Sequence, residues 1–284
     1  MKFLTTSLLA ILLLVFSCNK KNKSISLLQE KSTKIKIIQE EENTIKKRFN
    51  LPNGFSHIKT KPNSFENYLQ NFKLKAHNSK VHLYNGQLKG RQDVHAAILD
   101  INVGKRDLQQ CADATMRLRA EFLYKQKRYN DIHFKFTNGF NVAYSKWRNG
   151  YRIKVSGNKV SWYKTNKESK SYQAFKKYMQ LIFIYAGTLS LNKEMKRVDL
   201  ENMQIGDVFI QGGNPGHAII IVDMAKNTAN EKIFMLAQSY MPAQEIHILK
   251  NLNDVDISPW YMANNLETLH SPEWNFTKND LKRF

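Results

Sequence analysis

The chain has 284 residues, 42% hydrophobic and 11% aromatic, enough for a sizeable core in one large domain or two small ones. Its 44 lysines and arginines outnumber 24 acids, and the formal charge of +20 draws it toward anionic surfaces, although scattered lysines mostly make a solvated exterior. Two cysteines, Cys18 and Cys111, are too few for a disulfide framework or a thiolate zinc site.

The first elements concern export. "MKFLTTSLLAILLLVFSCNK" carries a lysine at position 2 and an apolar stretch from Leu8 to Phe16. That stretch is shorter than the roughly 18–20 apolar residues a bilayer span needs, so it reads as a signal peptide. "VFSC" resembles the lipobox of bacterial lipoproteins, which implies cleavage before Cys18 and a lipid on its thiol. The reading is then residues 1–17 as signal peptide, 18–48 as a lipid-anchored tether and 49–284 as a single domain. It places the protein in the bacterial cell envelope, held to a membrane through Cys18. Export argues against nucleic acid as partner and leaves a cell-wall peptide or another anionic envelope polymer.

Further along, Ser64 is an N-cap candidate for a helix with Phe65, Leu69 and Phe72 on one face. Asn85–Gly86 is a hairpin signal, and "HAAILDINVG" is an apolar segment that is either helix or strand. "RDLQQCADATMRLRAEFLYKQ" is rich in helix formers, with Asp107 and Gln110 in capping-box spacing, and predicts a helix from 108 to about 126. Strands and loops follow over 131–165, then a helix over 171–195. Four strands are expected at 207–211, 217–224, 232–239 and 244–249. An early helix followed by antiparallel strands makes an α+β fold.

Two residues stand out as chemistry. Cys111 falls near the fourth position of its helix, where free N–H groups and the dipole favour thiolate. His217 opens the apolar run of "NPGHAIIIVD" and is able to take the thiol proton and return it to a leaving group. The plainer alternative is a core cysteine and a packed ring at a strand end. A third residue would orient the ring. A turn centred near Thr228 brings residues near 239 opposite His217, which selects Gln238, with Gln244 and His247 as fallbacks. The oxyanion site would be the Cys111 N–H, helped by the side chain of Gln110 or Gln109. No paired spacing among the remaining histidines suggests a metal, no HExxH, P-loop or GxGxxG occurs, and no cofactor is expected.

A helix-borne cysteine followed about a hundred residues later by a strand-borne histidine is the order found in papain-like folds. "GDVFIQGGNPGHAIIIVD" resembles the corresponding part of NlpC-type cell-wall peptidases and their amidase relatives, through Gly206, Asp207, Val208, Gly216, His217, Ala218, Ile220 and Ile221. That resemblance implies a papain-like α+β fold, with an N-terminal catalytic helix packed on a small antiparallel sheet or barrel. It departs from the pattern at Gln110, where a small residue precedes the nucleophile, and at Asp223, where a glycine is absent. "LPNGF", "QCADATMRLRAEFLY", "IQGGNPGHAIIIVD", "LAQSYMPAQEIHIL" and "SPWY" resemble a bacterial lipoprotein family, domain-of-unknown-function family 4846, along nearly the whole mature chain. Two functions follow as expectations. One is a lipid-anchored cysteine hydrolase, a peptidase or amidase with a Cys111–His217–Gln238 site. The other is a non-catalytic envelope lipoprotein acting as a binding or assembly module.

Overall fold

A run of branched apolar residues buried on both faces prefers the centre of a sheet to its edge. Strand His217–Lys226 obeys this: every residue but the last is buried, and Ile219, Ile220 and Ile221 are wholly so. Each such side chain contributes about 1.5–3 kcal/mol relative to leaving it in water. The computed structural model describes residues 36–284 apart from Glu168. The signal peptide and Cys18 lie outside the described residues.

Around that strand is a sheet of nine, all of whose pairings are antiparallel. Its main path runs His95–Ile98, His247–Leu249, Lys232–Gln238, His217–Lys226, Val208–Gln211, Leu281–Arg283 and Lys196–Arg197. Ser56–His57 and Tyr261–Met262 pair beside the two central strands. Helix Cys111–Lys125 packs on His217–Lys226, as does the short helix Phe65–Gln70. Ser64 caps the latter by accepting a hydrogen bond from Asn67 N at 3.1 Å. Hairpins Tyr151–Ser156/Lys159–Lys164, His133–Lys135/Asn141–Ala143 and Thr268–His270/Asn275–Thr277 stand apart from the main sheet.

The expected α+β, papain-like (NlpC-type) fold, a helix on a small antiparallel sheet or barrel, is overturned: the protein is mostly antiparallel sheet with few helices. Among the described residues strand (29%) exceeds helix (24%), and the sheet is wide, with nine strands. It is enlarged by strands of two to four residues, such as Lys196–Arg197, Ser56–His57 and His95–Ile98. Strands that short carry almost no alternation to read.

Three smaller boundaries also move. The segment expected as tether joins the body before residue 49: Ile45 is wholly buried and Ile38 bridges Phe49. The expected helix over 171–195 is two, Tyr172–Tyr185 and Thr188–Glu194, parted at Gly187. The cysteine helix begins at Cys111, not at 108. Asp107 does not cap it, because its Oδ1 accepts from Ala243 N at 2.7 Å and from Gln110 Nε2 at 3.1 Å. The box forms one turn later, where Asp113 Oδ2 accepts from Gln110 N at 3.1 Å.

Candidate active site

Cys111 is therefore the first helical residue, not the fourth, with Gln110 as N-cap. His217 is the first residue of its strand. Gly216 precedes it because nothing larger fits. A Cβ there would lie 2.5 Å from Thr188 Oγ1 and 2.7 and 2.8 Å from the carbonyl oxygens of Gly213 and Gln211.

The strand pair carrying His217 and Gln238 has its register at Ala237↔Ile220, after an irregularity between Met235 and Leu236. Continuing that register puts Gln238 opposite Ile219, on the face that His217 shares two residues earlier. The pair is thus diagonal, a separation a long amide spans. His217 Nε2 lies 2.8 Å from Gln238 Oε1. An amide oxygen only accepts, so Nε2 carries the proton and Nδ1 is left as the acceptor. Among the described residues, Nδ1 makes no hydrogen bond.

The Gln238 amide is itself held. Its Nε2 donates to Glu273 Oε2 at 2.6 Å and faces His247 Nε2 at 3.4 Å. His247 Nδ1 lies 2.9 Å from the Glu245 carbonyl, which fixes its proton there and makes its Nε2 an acceptor. Glu273 pairs at 2.6 Å with Lys89, and both side chains are largely buried. A chain of polar contacts thus runs from His217 through Gln238 and Glu273 to Lys89. Aromatic rings wall the imidazole: Tyr240 at 4.9 Å, Trp274 at 5.3 Å and Phe276 at 6.0 Å between centroids. Trp274 is anchored through Nε1 to Gln211 Oε1 at 2.9 Å.

The thiol is 6% exposed. The backbone amides of Ala112, of Ala218 beside His217 and of Cys111 itself favour its charged form. Burial outweighs them and, with the Asp113 carboxyl adding in the same direction, raises its pKa to about 11. Burial likewise lowers the His217 pKa to about 4, against the Gln238 hydrogen bond and with help from Lys89. The expectation that the helix end would lower the thiol pKa is thus corrected. Half a dipole charge contributes about 0.3–1 kcal/mol, less than the desolvation of a buried anion. The resting pair is a neutral thiol and a neutral imidazole, and no hydrogen bond joins them.

Of the other residues singled out, His247 faces Gln238 and not His217. Gln244 lies beyond Ser239, its carbonyl accepting from Ser239 Oγ at 2.8 Å. The Gln110 amide is engaged by Asp107, whereas Gln109 Nε2 is buried without a partner. Glu273, Trp274 and Lys89 were not anticipated. They lie on loops with no periodicity and are joined to the site only by the fold. Among the described residues, no group of three or more His, Cys, Asp or Glu is arranged to hold a metal ion, and no helix is long and apolar enough to cross a membrane.

A mostly antiparallel sheet protein with few helices, carrying a thiol at a helix start and a histidine held by an amide, is the class these features define. The chain belongs to the family described as Domain of unknown function (4846), which it matches over residues 45–283. No curated protein and no solved structure matches it. Kinship with NlpC-type peptidases gains no support from these comparisons.

Proposed function

We propose that the protein is a lipid-anchored envelope hydrolase whose nucleophile is Cys111. The observation that carries this reading is the His217 Nε2–Gln238 Oε1 hydrogen bond of 2.8 Å, which fixes the tautomer leaving Nδ1 able to accept a proton. The thiol beside the Ala218 amide supports it. In the reaction, His217 Nδ1 takes the thiol proton as sulfur attacks an amide carbonyl, and the Cys111 N–H stabilises the oxyanion. The imidazolium returns its proton to the leaving amine, and water then hydrolyses the thioester. Gln238 is a positioning residue. Because both groups rest neutral, proton transfer would accompany attack. The anchor is the lipid on Cys18, and the substrate an amide of a cell-wall peptide.

The thiol's burial favours a second reading, a non-catalytic envelope module in which Cys111 is a core residue. Release of new amino groups from cell-wall peptide fragments distinguishes the two. Under the first, Cys111→Ala and His217→Ala abolish release and Gln238→Ala lowers it by about 10–100-fold, the usual loss when an orienting partner goes. Under the second, wild type and all three variants are alike.

A further inference from the structure

The two ends of a glutamine amide are alike in size, but one donates and the other accepts, so the neighbours decide which way it points. Beside His217 that choice carries over to the ring. With Gln238 Oε1 on His217 Nε2, the ring proton sits on Nε2 and Nδ1 is the free base. With the amide reversed, Nε2 would accept and Nδ1 would hold the proton, unable to take one from a thiol.

Glu273 opposes that reversal. Its Oε2 accepts from Gln238 Nε2 at 2.6 Å, and its Oε1 receives Lys89 Nζ at 2.6 Å. A reversed amide would press its oxygen against a carboxylate oxygen, in a largely buried place where such repulsion is poorly screened. His247 Nε2 accepts from the same end of the amide, but at 3.4 Å, the outer limit of a hydrogen bond. The short, charge-assisted contact to Glu273 is the stronger of the two. Glu273 is also held in place. It lies in the turn between strands Thr268–His270 and Asn275–Thr277. Ser271 N closes that turn on the Trp274 carbonyl at 3.0 Å, and Arg91 Nη1 donates to the Pro272 carbonyl at 3.0 Å.

We propose that Glu273, backed by Lys89, is a positioning residue that sets the tautomer of His217 through the Gln238 amide. Its meaning for catalysis rests on the reading of Cys111 and His217 as a reacting pair, whereas the tautomer can be measured without any reaction.

The test is a long-range proton–nitrogen spectrum of the full-length protein with isotope-labelled histidine, at about pH 7.5, where the His217 ring is neutral. Protonated and bare ring nitrogens are resolved, and the His217 signals are those lost in His217→Ala. Wild type should show Nε2–H, and Nδ1–H would overturn the proposal. In Glu273→Gln, Lys89 claims the oxygen of the new amide and leaves its NH2 facing Gln238. The Gln238 amide should then turn over and Nδ1–H become the main form; a folded variant that keeps the wild-type tautomer overturns the proposal. Adding Lys89→Met frees that oxygen to face Gln238 and should restore Nε2–H, and persistence of Nδ1–H overturns Lys89's part in it. Glu273→Gln alone leaves Lys89 buried without its counterion. If it does not fold, Glu273→Leu with Lys89→Met takes its place: no charge remains, both tautomers should appear, and Nε2–H alone overturns the proposal. Release of amino groups from cell-wall peptide fragments should fall about 10–100-fold in Glu273→Gln and recover with Lys89→Met, as for an orienting partner. Absence of release by wild type rejects the hydrolase reading and leaves the tautomer result standing. Undiminished release from a variant whose tautomer has turned over rejects His217 Nδ1 as the base.

Discussion

With Cys18 replaced by serine, Cys111 is the only thiol in the chain, and its alkylation is followed alone. Burial raises that thiol from an ordinary 9.0 to about 11. Two units correspond to about 3 kcal/mol and to a thiolate fraction about a hundredfold smaller near pH 7.5. Since thiolate is the species that attacks iodoacetamide, the folded protein should alkylate about a hundredfold more slowly than the same chain in denaturing urea. The rate should climb about tenfold per pH unit up to about pH 10. His217→Ala removes a ring that is already neutral above about pH 4. It should therefore move the midpoint by less than about one unit, the scale of a minor electrostatic contact. The assay is stopped-time alkylation read by mass, across pH, for both chains. A rate that plateaus below about pH 8 in the folded protein would mean an ion pair at rest, and the argument from burial would fail.

Acid should destabilise the protein through His217 and His247, whose pKa values burial lowers to about 4 and about 3. The folded values lie below the unfolded 6.5, so the unfolded chain binds more protons as pH falls. This contribution is full above about pH 6.5 and is lost as pH falls toward the folded values, the loss reaching about 2 kcal/mol for each ring near pH 5. Asp113, raised by burial, works in the opposite direction, so the check is the difference in urea midpoints between wild type and His247→Asn at pH 7.5 and pH 5; an unchanged difference rejects it. Gly216→Ala should cost about 1–3 kcal/mol, because two of the three atoms its methyl meets are backbone oxygens; an unaltered melting temperature counts against the packing described. Cys18→Ser should abolish metabolic lipid labelling, and equal labelling in both chains removes the anchor.

The diagonal pair of His217 and Gln238 was accessible from sequence because a hairpin constrains its own register. Given a turn near Thr228, strand period two leaves few candidates, and a long amide tolerates the slip at Met235–Leu236. The helix was equally plain from its composition, though not its first residue, since Asp107 is diverted to Ala243, far away in sequence. The breadth of the sheet was hidden in strands too short to alternate. The state of the thiol was hidden for another reason. A helix end is visible in sequence, but the desolvation that overrides it comes from elements packed against the helix, such as strand His217–Lys226. Glu273 and Lys89 are invisible on the same ground: neither has a local pattern, and each acquires meaning only from the other.

Asp223 is wholly buried in the central strand, with Oδ1 accepting from Gln70 Nε2 at 2.7 Å and Oδ2 lying 3.2 Å from His57 Nδ1. That carboxylate also matters before any of those partners arrives. Ala97 pairs with Ile248, and the cysteine helix lies entirely inside the span they close, so this edge of the sheet closes only through a non-local contact, the kind that slows folding. Before its own hairpin partners cover it, Ala218–Val222 is a bare β-prone run of the kind that zips into intermolecular strands. Asp223 ends that run with a charge, a gatekeeper in the unfolded chain, and a substitution such as Asp223→Leu would lengthen the sticky segment while it is still uncovered.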